Sequence, residues 1–465
     1  DASYRGVITG DGSWSAWTGA LLVRRADERA AAFMITNRAG DYTISGQAYP
    51  APWLTGLPAD ALGQKVGLIA KGRLDDSVLD GDVWLFGQAL EGTATGVIDL
   101  ADNAFETLEV SARLTDPALF GPDMRLEGAS LTAVLDGAFR DLSIPHELSV
   151  ERFVSGDTVV TGLNQQGTAT FDGTRWVLPL TAEVARVATG NALLDPRLVN
   201  GRLNGTVLYT GNRVLSDDLA INFADLSARL ALQGDVARGT YALAGPVNVT
   251  RLPLENVGNV SGTARIRFAL PASAPWTLSA DFDGRIPNVT NSTLANLAGN
   301  AIAFRGGVTL GGAAAGGLTP IEFRNVVVGA SKLSLRMNGR VADGNTTLAG
   351  SGRHTEYGDF TVEAALTDAG PEAVLVFANP LPAAGLTDVR VAIAPTEEGF
   401  AIDTEGGSLL GPFAGQLQLL APEGGPTRVV IDELNVWKTA ITGDITLADA
   451  GASGALALSG GGLDG

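Results

Sequence analysis

Only two histidines occur in this 465-residue chain, and His354 lies close to other groups that could take part in acid–base chemistry. Glu356, Tyr357 and Asp359 follow it within five positions. No second histidine lies nearby to complete a metal site or a triad. We therefore interpret it as a polar loop between strands.

Carboxylates are the other candidate ligands, since oxygen donors suit calcium. Asp75, Asp76, Asp80 and Asp82 form one cluster, and residues 281–284 read Asp-Phe-Asp-Gly. Neither group has the full ligand spacing of a calcium loop, so we interpret both as solvated turns. The chain has no cysteine, and it lacks the phosphate-binding loop and nucleophile-elbow motifs. The sequence therefore predicts no enzyme, no metal site and no cofactor.

The element that must carry these residues is the β-strand, because apolar and polar residues alternate along most of the chain. In residues 261–270, Ala264, Ile266 and Phe268 alternate with Arg265 and Arg267. A period of two sends successive side chains to opposite faces of a sheet. Glycine-containing turns separate these runs, as expected for hairpins. The pattern predicts an all-β chain with one apolar and one polar face.

Length and spacing predict how these strands are arranged. At about 13–15 residues per strand and turn, the chain holds roughly 30 strands. Open twisted sheets rarely exceed about ten strands without curling. We therefore expect a long, curved, mostly antiparallel sheet that is repetitive and elongated and forms a groove or trough with its apolar face inside. Residues 1–465 show no composition shift that marks a domain boundary, so we expect one continuous repetitive segment.

Three interruptions of the strand pattern stand out. Residues 291–303 have apolar residues at helical spacing behind Ser292 and Thr293, which predicts a short capped helix. Residues 58–65 and 380–385 are predicted to be loops.

The net charge of −19 argues against two classes of partner. Nucleic-acid binding needs a basic surface, and adsorption to an anionic membrane surface is disfavoured for the same reason. No run of about 18 apolar residues is present that would span a bilayer as a helix. The chain begins without Met and ends within its repeat pattern, so we expect it to be an internal segment of a larger protein.

Several segments resemble the TamB family, which belongs to the AsmA-like group of elongated periplasmic proteins. The resemblance rests on Leu434–Leu447, which leads into Gly454–Gly465, and on Leu194–Gly205 and Tyr241–Val247. It implies a curved groove that bridges the inner and outer membranes and shields phospholipid in transit. It further implies a periplasmic location, in an inner-membrane-anchored protein of a Gram-negative bacterium. The implied partner in outer-membrane biogenesis is TamA, an outer-membrane barrel protein, and no residue of this segment is assigned to that contact.

The alternating pattern selects candidate residues for a groove that holds phospholipid acyl chains. They are Leu226, Leu230, Leu232, Ile266, Phe268, Leu278, Phe282, Leu333, Leu335 and Met337. Each CH₂ group buried against such a wall contributes about 0.8 kcal/mol. The alternation leaves open whether the apolar face is an open groove or a closed, dry core.

The alternating pattern is also compatible with two other classes of protein. A secreted parallel β-helix, such as an adhesin or a polysaccharide-active protein, is the main alternative, although its strands are shorter and more regular than these runs. An outer-membrane barrel ranks third, because its aromatic girdles need more than the 6% aromatic residues found here.

Overall fold

The computed structural model describes residues 4–26, 28–50, 54, 56–121, 124–191, 194–254, 257–312, 318–342, 345–367, 370–396, 399–420, 427–448 and 451–461. Strands make up 77% of the structure and helices 4%, so the all-β prediction is confirmed. The chain divides into two compact units, residues 1–245 and 246–465, which are described separately.

Unit 1 is an antiparallel ladder of sixteen strands, most of them paired with their sequence neighbours. The exception is a short strand, β9, which shares one side of β11 with β10. The strands β1 to β16 are Tyr4–Ser13, Ala16–Arg25, Glu28–Arg38, Asp41–Ala48, Val66–Asp75, Val78–Phe86, Leu90–Asp99, Ala104–Leu114, Met124–Glu127, Ser130–Ala138, Asp141–Ser155, Thr158–Phe171, Arg175–Ala188, Val199–Thr210, Arg213–Asn222 and Leu226–Asp235. Strand β17, Thr240–Leu254, crosses the boundary at residue 245.

Unit 2 repeats this antiparallel arrangement from β18 to β31. These strands are Gly258–Leu270, Thr277–Ile286, Ile302–Gly312, Leu318–Ala330, Leu333–Ala342, Asn345–His354, Gly358–Thr367, Gly370–Phe377, Thr387–Thr396, Gly399–Ser408, Gly411–Leu420, Thr427–Val436, Thr439–Ala448 and Gly451–Ser459. Every described strand pair whose register is resolved is antiparallel, whereas a parallel β-helix is built from parallel strands.

In the part of the chain that the structure describes, helical segments occur only in connections that are longer than a tight turn. Helix α1, Leu57–Leu62, lies between β4 and β5, so the predicted loop over residues 58–65 is wrong for residues 58–62 and confirmed for residues 63–65. Pro58 occupies the first turn of α1, where a missing N–H is tolerated. Helix α2, Ser292–Ala298, confirms the predicted helix, although the Asn291 side chain provides its N-cap. Two 3₁₀ turns, Asp195–Arg197 and Pro382–Ala384, complete the set among the described residues.

Curvature of the sheet is visible in unit 1. Side chains from β4 to β8, among them Tyr42, Val83 and Leu108, line one cavity of about 150 Å³ on the apolar face. On a flat sheet β4 and β8 would be about 19 Å apart, so the sheet must bend here. Gly72 lies opposite Gly81 on the floor of this cavity. A side chain on Gly81 would meet the backbone of β5, so glycine permits the close approach of the two strands.

Candidate functional site: the apolar face of the sheet

The ten predicted groove residues are distributed over both units. Leu226, Leu230 and Leu232 lie on β16 in unit 1, and the other seven lie on β18, β19 and β22 in unit 2. Leu230 is buried, with 6% of its surface exposed. The remaining nine are partly exposed, whereas their polar neighbours Arg265, Arg267 and Arg336 are exposed.

Strand register in unit 2 joins the predicted residues into a continuous apolar surface. Phe268 lies opposite Leu278 in the β18–β19 pair, and Leu278 lies opposite Leu310 on β20. Further along the ladder, Leu335 lies between Val328 on β21 and Gly352 on β23. Apolar residues therefore occupy neighbouring positions on one face from β18 to β23.

Aromatic rings on this face lie over glycines of the adjacent strand. The Phe304 ring occupies the space that a side chain on Gly284 would take, and Phe360 does the same over Gly352. Phe282 likewise lies beside Gly306 in the facing strand. A ring that folds over a glycine covers the backbone without projecting far from the sheet. This pairing makes the apolar face smooth, and it depends on register, which alternation alone does not reveal.

Burial shows that this face is not a dry core among the described residues. No large side chain there is fully buried, and many of the most buried apolar residues are alanines, such as Ala30 and Ala298. A closed core would bury its leucines and phenylalanines almost completely, because protein interiors are close-packed. The apolar face is therefore accessible along most of its rows.

Helix α2 covers one end of the apolar face in unit 2. Ala298 forms a buried cluster with Ile286 and Ile302, and Leu294 and Leu333 pack against that cluster. Leu333 is thus the one predicted groove residue that contacts this covered core. The helical pattern in the sequence does not predict this contact, because it gives no information about the surface on which the helix packs.

His354 anchors the C-terminal end of α2. Its Nε2 donates to the carbonyl oxygen of Leu297 at 2.9 Å, and its Nδ1 accepts the Glu356 backbone N–H at 3.2 Å. The imidazole is 6% exposed and stacks on the Tyr357 ring, with centroids 4.6 Å apart. Both ring nitrogens are therefore engaged in holding a loop and a helix end. The predicted polar loop is limited to residues 355–357, since His354 itself is the buried last residue of β23.

His146 was not singled out by sequence analysis, yet it lies on the apolar face of unit 1. Gln165 Nε2 lies 3.1 Å from His146 Nε2, and His146 Nδ1 donates to the Ile144 carbonyl oxygen at 3.0 Å. These two side chains form a partly buried polar pair among leucines of β11 and β12.

The two carboxylate clusters occupy exposed strand ends and strand faces. Asp82 accepts the Thr95 hydroxyl at 2.7 Å, and Asp281 pairs with Arg267 at 3.7 Å. Within the described part of the chain, no group of three or more His, Cys, Asp or Glu side chains could hold a metal ion. None of the helices in that part is long and apolar enough to cross a membrane.

No protein-family model matches the chain, and no curated protein matches it significantly.

Proposed function

We propose that this chain is a segment of a hydrophobic conduit that moves phospholipid between the inner and outer membranes and so supports outer-membrane biogenesis. The observation that carries the proposal is a continuous apolar face whose large side chains are only partly buried. Water in contact with such a face is displaced favourably by acyl chains, at about 0.8 kcal/mol for each buried CH₂.

The chemistry of the face supports a sliding surface rather than a catalytic site. From β18 to β23 the rows consist mainly of Ala, Leu, Ile, Val, Met, Phe and Gly, and the arginines of these strands project from the opposite face. Acyl chains have no polar atoms to be recognised, so a smooth apolar wall is sufficient. We therefore infer no enzymatic activity for this segment.

Location and partner follow from the resemblance to TamB stated above. A conduit between two membranes of a Gram-negative envelope lies in the periplasm, as part of an inner-membrane-anchored protein. Its partner is TamA, reached through parts of the parent protein outside this segment.

Site-specific photo-crosslinking tests the conduit. A photo-reactive residue at Phe268 or Leu335 is expected to capture phospholipid, detected by mass spectrometry of the purified adduct. The matched control is Arg267, one position from Phe268 and on the polar face. Equal capture of lipid from positions 267 and 268 would contradict the proposal, because the two side chains point to opposite faces.

A further inference from the structure

Positive charge is concentrated in one part of unit 2 although the whole chain is acidic. Residues 258–354 contain nine Lys and Arg against four Asp and Glu, a net charge of +5, whereas the remaining residues carry −24. Screening limits surface electrostatics to about 10 Å at ordinary ionic strength, so the local excess matters more than the chain total.

Strand register places eight of these arginines on one face, opposite the apolar face. They are Arg265, Arg267, Arg285, Arg305, Arg324, Arg336, Arg340 and Arg353, and all eight are exposed. Three acidic residues, Asp281, Asp283 and Glu322, share this face on the same six strands. An arginine-rich patch therefore covers the polar face of β18 to β23.

Within this patch, two arginines and two hydroxyls converge at a shallow concavity of about 620 Å³. Arg336 lies opposite Ser351 and Ser334 lies opposite Arg353 in the β22–β23 pair. The two arginines are thus diagonal neighbours, a spacing at which long side chains meet. All four residues line the concavity.

A third arginine approaches from β20. Arg305 shares a cross-strand row with Arg336, and Val327 lies between them on β21. The two backbones are about 10 Å apart, so both guanidinium groups can reach a single ligand above Val327. The adjacent row is open as well, since no heavy atom lies within 4 Å of the position that a side chain on Gly329 would take.

Ion pairing leaves most of this charge available. Arg353 pairs with Asp359 at 3.6 Å. Among the described residues, no carboxylate oxygen lies within 4.0 Å of the guanidinium nitrogens of Arg305 or Arg336. Asp359 and Asp388 line the side of the concavity towards β24 and β26, so an anion is favoured on the β20–β23 side.

The geometry points to a binding site for the phosphoryl group of a phosphate ester, formed by Arg305, Arg336 and Arg353 with the hydroxyls of Ser334 and Ser351. Planar guanidinium groups match phosphate oxygens with paired hydrogen bonds, and serine hydroxyls donate to the remaining oxygens. The ester is either a soluble phosphate or a lipid headgroup presented at a surface. The site lies on the face opposite the apolar rows, so it is independent of the proposed conduit.

Binding measurements on the whole chain test this site. The probes are glycerol 3-phosphate in solution and vesicles of phosphatidylglycerol, with phosphatidylcholine vesicles as the neutral reference. Arg336→Gln with Arg353→Gln is expected to weaken binding at least about tenfold, because it removes charge-assisted hydrogen bonds to the phosphate oxygens. The matched control is Arg265→Gln with Arg267→Gln, which also removes one ion-paired and one unpaired arginine from the same face.

The possible outcomes distinguish a soluble phosphate ester from a lipid headgroup, and both from the absence of a specific site. Saturable binding of glycerol 3-phosphate, lost in the Arg336/Arg353 variant only, supports the site with a soluble ester. Binding confined to phosphatidylglycerol vesicles, with the same variant dependence, supports it with a lipid headgroup. The proposal is overturned by no binding to either probe, by equal losses in both double variants, or by equally tight binding of a glutamate-rich peptide. Lipid capture at Phe268 is measured in a separate experiment, so the phosphate site and the conduit can each be refuted without the other.

Discussion

At the scale of single residues, the exposure of a position on the apolar face determines how much a charged substitution there destabilises the protein. Leu230 is 6% exposed and faces Leu219, which is 8% exposed, so this pair in unit 1 resembles a small core. Phe268 in unit 2 is partly exposed, and its ring lies 6.1 Å from that of Trp276. The two positions share the same sequence pattern but differ in packing, so the same kind of substitution has different consequences.

Leu230→Glu is expected to lower the free energy of unfolding by on the order of 3 kcal/mol, because it buries an unpaired carboxylate. Phe268→Arg is expected to lower the free energy of unfolding by no more than about 1.5 kcal/mol, because the new charge reaches water. The same substitution is expected to reduce phospholipid capture by a photo-reactive residue at Leu335. Urea unfolding measures the first quantity and photo-crosslinking the second. Arg265→Gln is the control and should change neither. An equally large loss of stability in both variants would show that the apolar face is a closed core.

At the scale of elements, helix α2 is held to the sheet by its C-terminal carbonyl groups. His354 binds the Leu297 carbonyl oxygen, and the Lys332 side chain donates to the Asn296 carbonyl oxygen at 2.8 Å. The Lys332 backbone N–H donates to the Ala298 carbonyl oxygen at 2.9 Å. The last carbonyls of a helix have no partner within it, so these contacts satisfy groups that would otherwise be left open. The turn before β22 and the end of β23 thereby determine where α2 lies on the apolar face.

His354→Ala is expected to lower the free energy of local opening of α2 by about 1–3 kcal/mol, because it leaves a partly buried carbonyl oxygen without its donor. Hydrogen exchange measured by mass spectrometry should show faster exchange in Ser292–Ala298, while exchange in β26 to β31 stays unchanged. His146→Ala, in the other unit, serves as the control and should leave α2 as it is. Unchanged exchange in α2 of the His354 variant would contradict the anchoring role.

At the scale of the whole molecule, almost every strand whose pairing is resolved forms its backbone hydrogen bonds only with its neighbours in sequence. Only the β8–β10 and β9–β11 pairs skip a strand among those described. Chains built in this way gain stability from nearest-neighbour interfaces, as repeat proteins do. Among the described residues, the cluster beneath α2 is the one buried apolar cluster that joins several strands, and no large side chain is less than 2% exposed.

We expect unfolding of this chain to proceed in contiguous groups of strands rather than in one step. Hydrogen exchange at increasing urea concentration should show groups of adjacent strands opening at different free energies. The urea transition followed by circular dichroism should be broader than that of a two-state domain of similar size. A single sharp transition, with all slow amides exchanging at one common free energy, would contradict this expectation.

Much of the fold follows from alternation in the sequence. The period of two in residues 261–270 is enough to place Ile266 and Phe268 on the partly buried face and Arg265 and Arg267 on the exposed one. Side-chain direction along a strand is a local property of the backbone, so no partner strand has to be known. The same reasoning predicts about 30 strands, and the described residues form 31.

Register is the information that only the tertiary structure supplies. A shift of one residue between paired strands changes every cross-strand neighbour, and the shift depends on turns and partners distant from the residue concerned. Register places Phe304 over Gly284 and brings Arg336 and Arg353 together beside Ser334 and Ser351. The packing of α2 against the sheet likewise places Leu333 beside the buried cluster of Ile286, Ala298 and Ile302. Alternation thus determined which face each side chain occupies, and the paired sheet determined which side chains meet on it.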